Sequence, residues 1–201
     1  MTKQKNILIL NGPNLNLLGT RQPEIYGSRT LKDLEEMCVS KGKACSMNIK
    51  FEQSNSESEL VTFIQEAIKT SDGIIINAAA YSHTSVAILD ALNSFTGYVI
   101  EVHISDISKR EEFRKFSYVS LRADYVIMGK GLEGYIEALE KMMNANKQTI
   151  SNAQNFTQPE RPLTLEDVRS MMKDKRYFDP KERDESYVKK VDDAFARLYR
   201  G

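Results

Sequence analysis

The chain has 201 residues, 41% of them hydrophobic and 28% charged, and lacks tryptophan; this is enough apolar material for one well-filled core, and it excludes disorder as the main state. Lys+Arg and Asp+Glu balance at 28 each, so no global field draws the chain to nucleic acid or an acidic membrane, and any basic site must be local. No apolar run approaches the ~20 residues that cross a bilayer, and MTKQKN leads straight into a strand pattern, which sets the expectation of a cytoplasmic protein.

Asn6–Leu10 (NILIL) is continuously apolar instead of alternating, the pattern of a strand buried on both faces. The stretch Asn11–Gly27, NGPNLNLLGTRQPEIYG, follows it. Most strand-to-helix connections need only about 2–6 residues. This longer one carries Asn14, Arg21 and Tyr26, so it is expected to touch a ligand. Thr30–Lys41 then places Leu31, Leu34, Met37 and Cys38 at helical spacing, with Gly42 as a stop. Cys38 and Cys45 fit neither a metal knuckle nor a disulfide framework and read as reduced, structural thiols. Met47–Gln53 alternates like a more peripheral strand. Ser56–Thr70 opens on a cap-like serine and sets Leu60, Phe63, Ile64, Ala67 and Ile68 on one helical face.

Gly73–Asn77 (GIIIN) is the next buried strand, followed by a polar turn over Ala78–Ser82 and a helix over Thr84–Ser94. Tyr98–His103 is a fourth strand, and Ile104–Phe113 reads as loop and short helix. Asp124–Met128 is a fifth strand, with a helix from about Leu132 to Ala145 behind it. Strands alternating with helices imply an α/β fold, a parallel sheet covered on both faces, and flavodoxin-like order 2-1-3-4-5 is the simplest fit. Residues 146–162 turn polar and amide-rich and read as a linker. Residues 163–201 read as a helical tail: Thr164 with Asp167 opens one amphipathic helix, and Asp184 caps a last one, Glu185–Arg200, with Tyr187, Val188, Val191, Ala194, Phe195 and Leu198 in a stripe. Two such helices cannot make a core of their own, so they are expected to dock on the first domain, on a symmetry mate or on another protein.

In open sheets of this kind, ligands sit beyond the carboxyl ends of the strands. That edge collects Asn14 after the first strand, Asn77 at the end of the third, Glu101 and His103 in the fourth, and both of the chain's histidines, His83 and His103. Arg110 and Arg114, four apart, are expected on one face of the helix that follows His103, where one can meet an anion or a polyol. Gly129-x-Gly131-x-x-Gly134 has the letters of a dinucleotide fingerprint. It comes after the last strand instead of the first, so tight helix–strand packing explains it adequately. There is no Ser-His-Asp arrangement and no zinc spacing, which leaves acid–base chemistry. Tyr26 becomes a base only if its pKa is pulled down from about 10, and the Arg21 guanidinium is the means. His103 supplies the acid, oriented by Glu101 two residues earlier.

NGPNLNLLGTRQPEIYG, NAAAYSHTSVAILDAL, EVHISDISKREEFR and GKGLEGYIEAL together resemble the type II 3-dehydroquinate dehydratases, over about residues 5–145. The resemblance implies a flavodoxin-like catalytic domain over residues 1–145, a dodecamer built from trimers, and a hydro-lyase that needs no metal and no cofactor. Its reaction would be the anti-elimination of water from 3-dehydroquinate through an enolate, a step that serves aromatic biosynthesis and quinate breakdown alike. Residue by residue it implies Tyr26 as the base, Arg21 as the group that keeps it ionised, and Asn14 as the holder of a water at the enolate. His103, supported by Glu101, would protonate the leaving hydroxyl. Asn77 and the amides of Ile104 and Ser105 would hold the carboxylate, His83 and Arg114 would reach the ring hydroxyls, and Asp90 would enter a neighbouring subunit's pocket. Leu89 departs from the arginine often found before that aspartate. Residues from about 146 onward lie outside the resemblance, and a rival expectation follows from them: a catalytically idle, dehydratase-like scaffold whose tail binds a protein partner.

Overall fold

The structure, a computed structural model, describes residues 4–20, 28–145, 171–179, 182–189 and 191–192. Among the described residues, β1 (Lys5–Asn11), β2 (Met47–Gln53), β3 (Gly73–Asn77), β4 (Tyr98–His103) and β5 (Tyr125–Met128) form one parallel sheet in the order β2-β1-β3-β4-β5. The continuous apolar runs behave as a doubly covered sheet requires, with alternate residues serving opposite faces. Ile7, Ile9, Ile75, Ile100 and Val102 pack under α1 (Leu31–Ala44) and α4 (Glu133–Asn144). Leu8, Leu10, Ile74, Ile76 and Val99 pack under α2 (Glu57–Thr70) and α3 (Val86–Asn93). The result is the expected flavodoxin-like three-layer sandwich. Each buried Ile or Leu contributes about 1.5–3 kcal/mol, so the two layers hold the sheet's carboxyl edge rigid enough to mount a site.

Local chemistry explains the element ends. Thr30 and Asp33 form a reciprocal capping box at the start of α1, and Ser85 caps α3 by accepting from the Ile88 amide at 2.9 Å. Three expectations need correction. Gly42 does not stop α1, which runs on to Ala44; a Cβ there would stand 2.3 Å from Ile49 Cγ1, so this glycine lets the helix lie close on β2. Ser56 occupies the N-cap position of α2 without a side-chain capping bond, its hydroxyl meeting that of Ser58 at 3.0 Å instead. The stretch after His103 forms two separate 3-10 turns, Ile107–Lys109 and Glu112–Arg114, so Arg110 and Arg114 do not share one helical face. Cys38 is a core residue whose thiol is pushed up to about 12 by burial and by the Glu35 charge, and neither cysteine is in a disulfide.

The chain divides into two compact units, Met1–Asn155 and Phe156–Gly201. In the second, Asp174 caps a single helical turn, α5 (Lys175–Phe178), which the sequence reading does not anticipate. Asp184 accepts from the amides of Ser186 at 2.9 Å and Tyr187 at 3.3 Å, the cap expected for the last helix, of which residues 185–189 and 191–192 are described. Val191 is buried against Met171, Tyr177 and Tyr187. The linker at 146–162, the Thr164–Asp167 capping box, and Ala194, Phe195 and Leu198 lie outside the described residues.

Candidate active site

Beyond the carboxyl ends of β1, β3 and β4 lies a cleft of about 390 Å³. It gathers eight of the residues expected from the sequence, Asn14, Asn77, His83, His103, Ile104, Ser105, Arg110 and Arg114, together with Glu111. His103 is the last residue of β4 and Glu101 stands two before it, so strand periodicity puts both side chains on one side. His103 Nε2 meets Glu101 Oε1 at 2.7 Å, which leaves Nδ1 to face a ligand. Glu101 is fully buried and accepts from Ser117 Oγ at 2.6 Å and from the Ser120 hydroxyl. Burial works against its charge, but the His103 ring and the two serines outweigh it and hold the carboxyl below the ordinary value.

His83 reaches the cleft from the 3-10 turn Ala79–His83, its ring stacked on that of His103 with centroids 6.4 Å apart. Its Nδ1 lies 2.7 Å from the Phe116 carbonyl oxygen. A carbonyl only accepts, so Nδ1 carries the proton and Nε2 is an acceptor. Desolvation lowers the pKa of this ring, with the Phe116 bond opposing and His103 and Arg114 adding to the fall, so His83 is neutral at pH 7.

Asn14 sits at φ 67°, in the left-handed region that asparagine tolerates, and its amide N–H donates to Asn55 Oδ1 at 2.9 Å. Asn77 ends β3 with its amide fixed at both ends: Nδ2 donates to the Tyr135 hydroxyl at 2.9 Å and Oδ1 accepts from the Ala79 N–H at 3.2 Å. Glu111 lies between the two arginines, 3.4 Å from Arg110 Nε and 3.5 Å from Arg114 Nε. Arg114 Nε is buried, and Glu111 meets it as an ion pair without a well-aligned hydrogen bond.

Asp90 does not line this cleft; it is exposed on α3. Arg21 and Tyr26 lie outside the described residues. Of the residues before them, Leu17 and Leu18 line the cleft, and Gly19 passes close to Ser28, where a Cβ would stand 2.8 Å from the carbonyl oxygen. Ser117, Ser120, Phe116 and Tyr135, which hold the expected residues in place, carry no signal in the sequence, whereas Asn11, which accepts from Tyr135, ends the first strand on this edge as its apolar run implies. Only the rule that a buried carboxylate needs donors pointed toward the serines. Gly129 and Gly131 adopt φ 74° and 58°, and a Cβ on Gly134 would lie 3.3 Å from Ile127, so the glycine run serves turn and packing as expected. Among the described residues there is no group of three or more His, Cys, Asp or Glu that could hold a metal.

Comparison with known proteins settles the family. Residues 5–143 match the family described as Dehydroquinase class II. The chain belongs to that family. It is 62% identical over 137 residues to the 3-dehydroquinate dehydratase of Streptomyces avermitilis, covering 68% of this chain and 86% of that one. It is 58% identical over 144 residues to the enzyme of the same name from Bartonella henselae, covering 70% and 97%. The type II dehydroquinase of Propionibacterium acnes is similar in structure, with a TM-score of 0.68 at 42% identity over 70% of this chain and 97% of that one.

Proposed function

We propose that this chain is a hydro-lyase that reversibly dehydrates 3-dehydroquinate to 3-dehydroshikimate, by anti-elimination through an enolate. The observation that carries this reading is the buried Glu101–His103 pair opening onto a cleft with Asn77, His83 and Arg114, in a member of the class II dehydroquinase family. In this reading Tyr26 removes the proton α to the ketone, its pKa lowered from about 10 by the Arg21 guanidinium. Asn14 holds the water that steadies the enolate. His103, with Glu101 behind it, protonates the departing hydroxyl, which leaves as water. Asn77 and the backbone amides of Ile104 and Ser105 take the substrate carboxylate, while the neutral His83 accepts from a ring hydroxyl and Arg114 donates to one. The reaction so written uses the chain's own side chains and backbone amides and one water, with no metal and no cofactor.

The same proposal makes the working particle a homododecamer, four trimers, in the cytoplasm, with the exposed Asp90 entering the neighbouring subunit's cleft. Residues 1–145 form the catalytic domain, 146–162 the linker, and 163–201 a helical tail that docks on a protein partner. The compact unit at Phe156–Gly201 supports a separate task for the tail. It also favours the second reading, in which the particle is an idle scaffold and the tail its working part. Turnover separates the two. Full-length protein given 3-dehydroquinate forms the conjugated enone, seen as a rise in ultraviolet absorbance, and Tyr26→Phe abolishes that rise at unchanged particle mass. Folded wild-type protein without turnover leaves only the scaffold.

A further inference from the structure

Tyr135 of α4 is fully buried, yet its hydroxyl reaches into the carboxyl edge of the sheet, donating to Asn11 Oδ1 at 2.7 Å and accepting from Asn77 Nδ2 at 2.9 Å. Asn11 and Asn77 are register partners on the adjacent strands β1 and β3. Every donor and acceptor role in this run is forced. Asn11 Nδ2 donates to the Glu52 carbonyl oxygen at 3.1 Å, so its Oδ1 faces the phenol. The phenol spends its single proton there, so toward Asn77 it can only accept, and it selects Nδ2 over Oδ1. Asn77 Oδ1 in turn takes the Ala79 N–H at 3.2 Å. One Nδ2 hydrogen of Asn77 then remains, and Asn77 lines the cleft.

We propose that Tyr135 is a positioning residue: through Asn77 it aims the remaining amide hydrogen at the substrate carboxylate and denies the cleft the alternative amide orientation, which would present an oxygen to an anion. The glycine run gains a purpose from this. A Cβ on Gly134 would lie 3.3 Å from Ile127 and 3.4 Å from Val102, so the bare backbone there lets α4 settle on the sheet with Tyr135 in reach of both asparagines. Tyr135 itself stays outside the cleft, which is why its effect passes through Asn77.

The inference rests on the proposed function, because it takes Asn77 as the group that meets the carboxylate. Steady-state kinetics of Tyr135→Phe, Asn77→Ala and the double variant with 3-dehydroquinate test it. Tyr135→Phe raises KM about tenfold with kcat within about threefold, as loss of one oriented hydrogen bond to bound substrate does. In the Asn77→Ala background the same change raises KM no further. An unchanged KM, or an equal rise in both backgrounds, means that Tyr135 only supports the core and overturns the inference. If wild-type protein forms no enone, the proposed function fails on its own, and the crystal structure of Tyr135→Phe decides the inference: a displaced or rotated Asn77 amide upholds it, an unmoved one overturns it. Should Tyr135→Phe not fold, Asn11→Ala, which strips the phenol of its acceptor, is read by the same criteria.

Discussion

The end of β4 and the paired ends of β1 and β3 lie on one sheet edge and bury polar side chains by opposite means. At β4 a carboxylate stays ionised without solvent, because His103 and two serine hydroxyls converge on Glu101. At β1 and β3 only neutral groups meet: two amides and a phenol whose pKa burial pushes up, against the pull of the Asn77 bond. A buried charge costs several kcal/mol unless it is paired and hydrogen-bonded, and in the proposed mechanism it is kept where a proton has to be delivered. Holding a substrate needs only direction, and neutral groups with forced donor and acceptor roles supply that at less cost.

Breaking the charged end has the largest expected effect. His103→Ala removes the proposed acid and strips Glu101 of its counter-group; kcat falls about 10²–10⁴-fold, read by enone absorbance, and urea unfolding shows a loss of about 3 kcal/mol. Titration separates the two ends next. Glu101 and His83 have folded-state pKa values below the ordinary 4.5 and 6.5, so the unfolded chain takes up their protons first. Stability therefore falls as pH drops below about 6.5, His83 contributing first and Glu101 below about 4.5. Tyr135 has the opposite sign: its pKa is raised above the ordinary 10.0, so its contribution is complete below that value and is lost at higher pH. Urea midpoints taken at acid, neutral and alkaline pH show both flanks, and Tyr135→Phe makes the alkaline one shallower, leaving the part that belongs to the raised Cys38 thiol. Ala79→Gly gives the smallest change. Ala79, whose N–H holds Asn77, sits at φ 52°, a left-handed conformation that glycine adopts without strain, so the substitution raises stability by about 1 kcal/mol in thermal unfolding.

Much of this edge was legible from the residues. Gly73–Asn77 and Tyr98–His103 have the bounds the apolar runs predict, because strands buried on both faces leave an uninterrupted signal. The Glu101–His103 pair followed from period two alone. What stayed hidden depends on long-range packing. Tyr135 lies 58 residues from Asn77 and 124 from Asn11, and an aromatic at helical spacing reads as core whether or not its hydroxyl has work to do. Ser117 and Ser120 fall in a stretch without periodicity. Gly42 has the look of a helix stop in the sequence because its reason, the approach of Ile49, belongs to another element. The spacing of Arg110 and Arg114 predicts a helix, but the chain there breaks into two 3-10 turns and still brings both to the cleft.

The division of labour between the two ends is tested most directly by steady-state kinetics of Glu101→Gln, Asn77→Ala and their combination with 3-dehydroquinate. Separate roles predict that Glu101→Gln lowers kcat about 10–100-fold with KM nearly unchanged, that Asn77→Ala raises KM while keeping most of kcat, and that the double variant shows both losses. Two variants that depress the same parameter, or a wild-type protein that forms no enone, would contradict it.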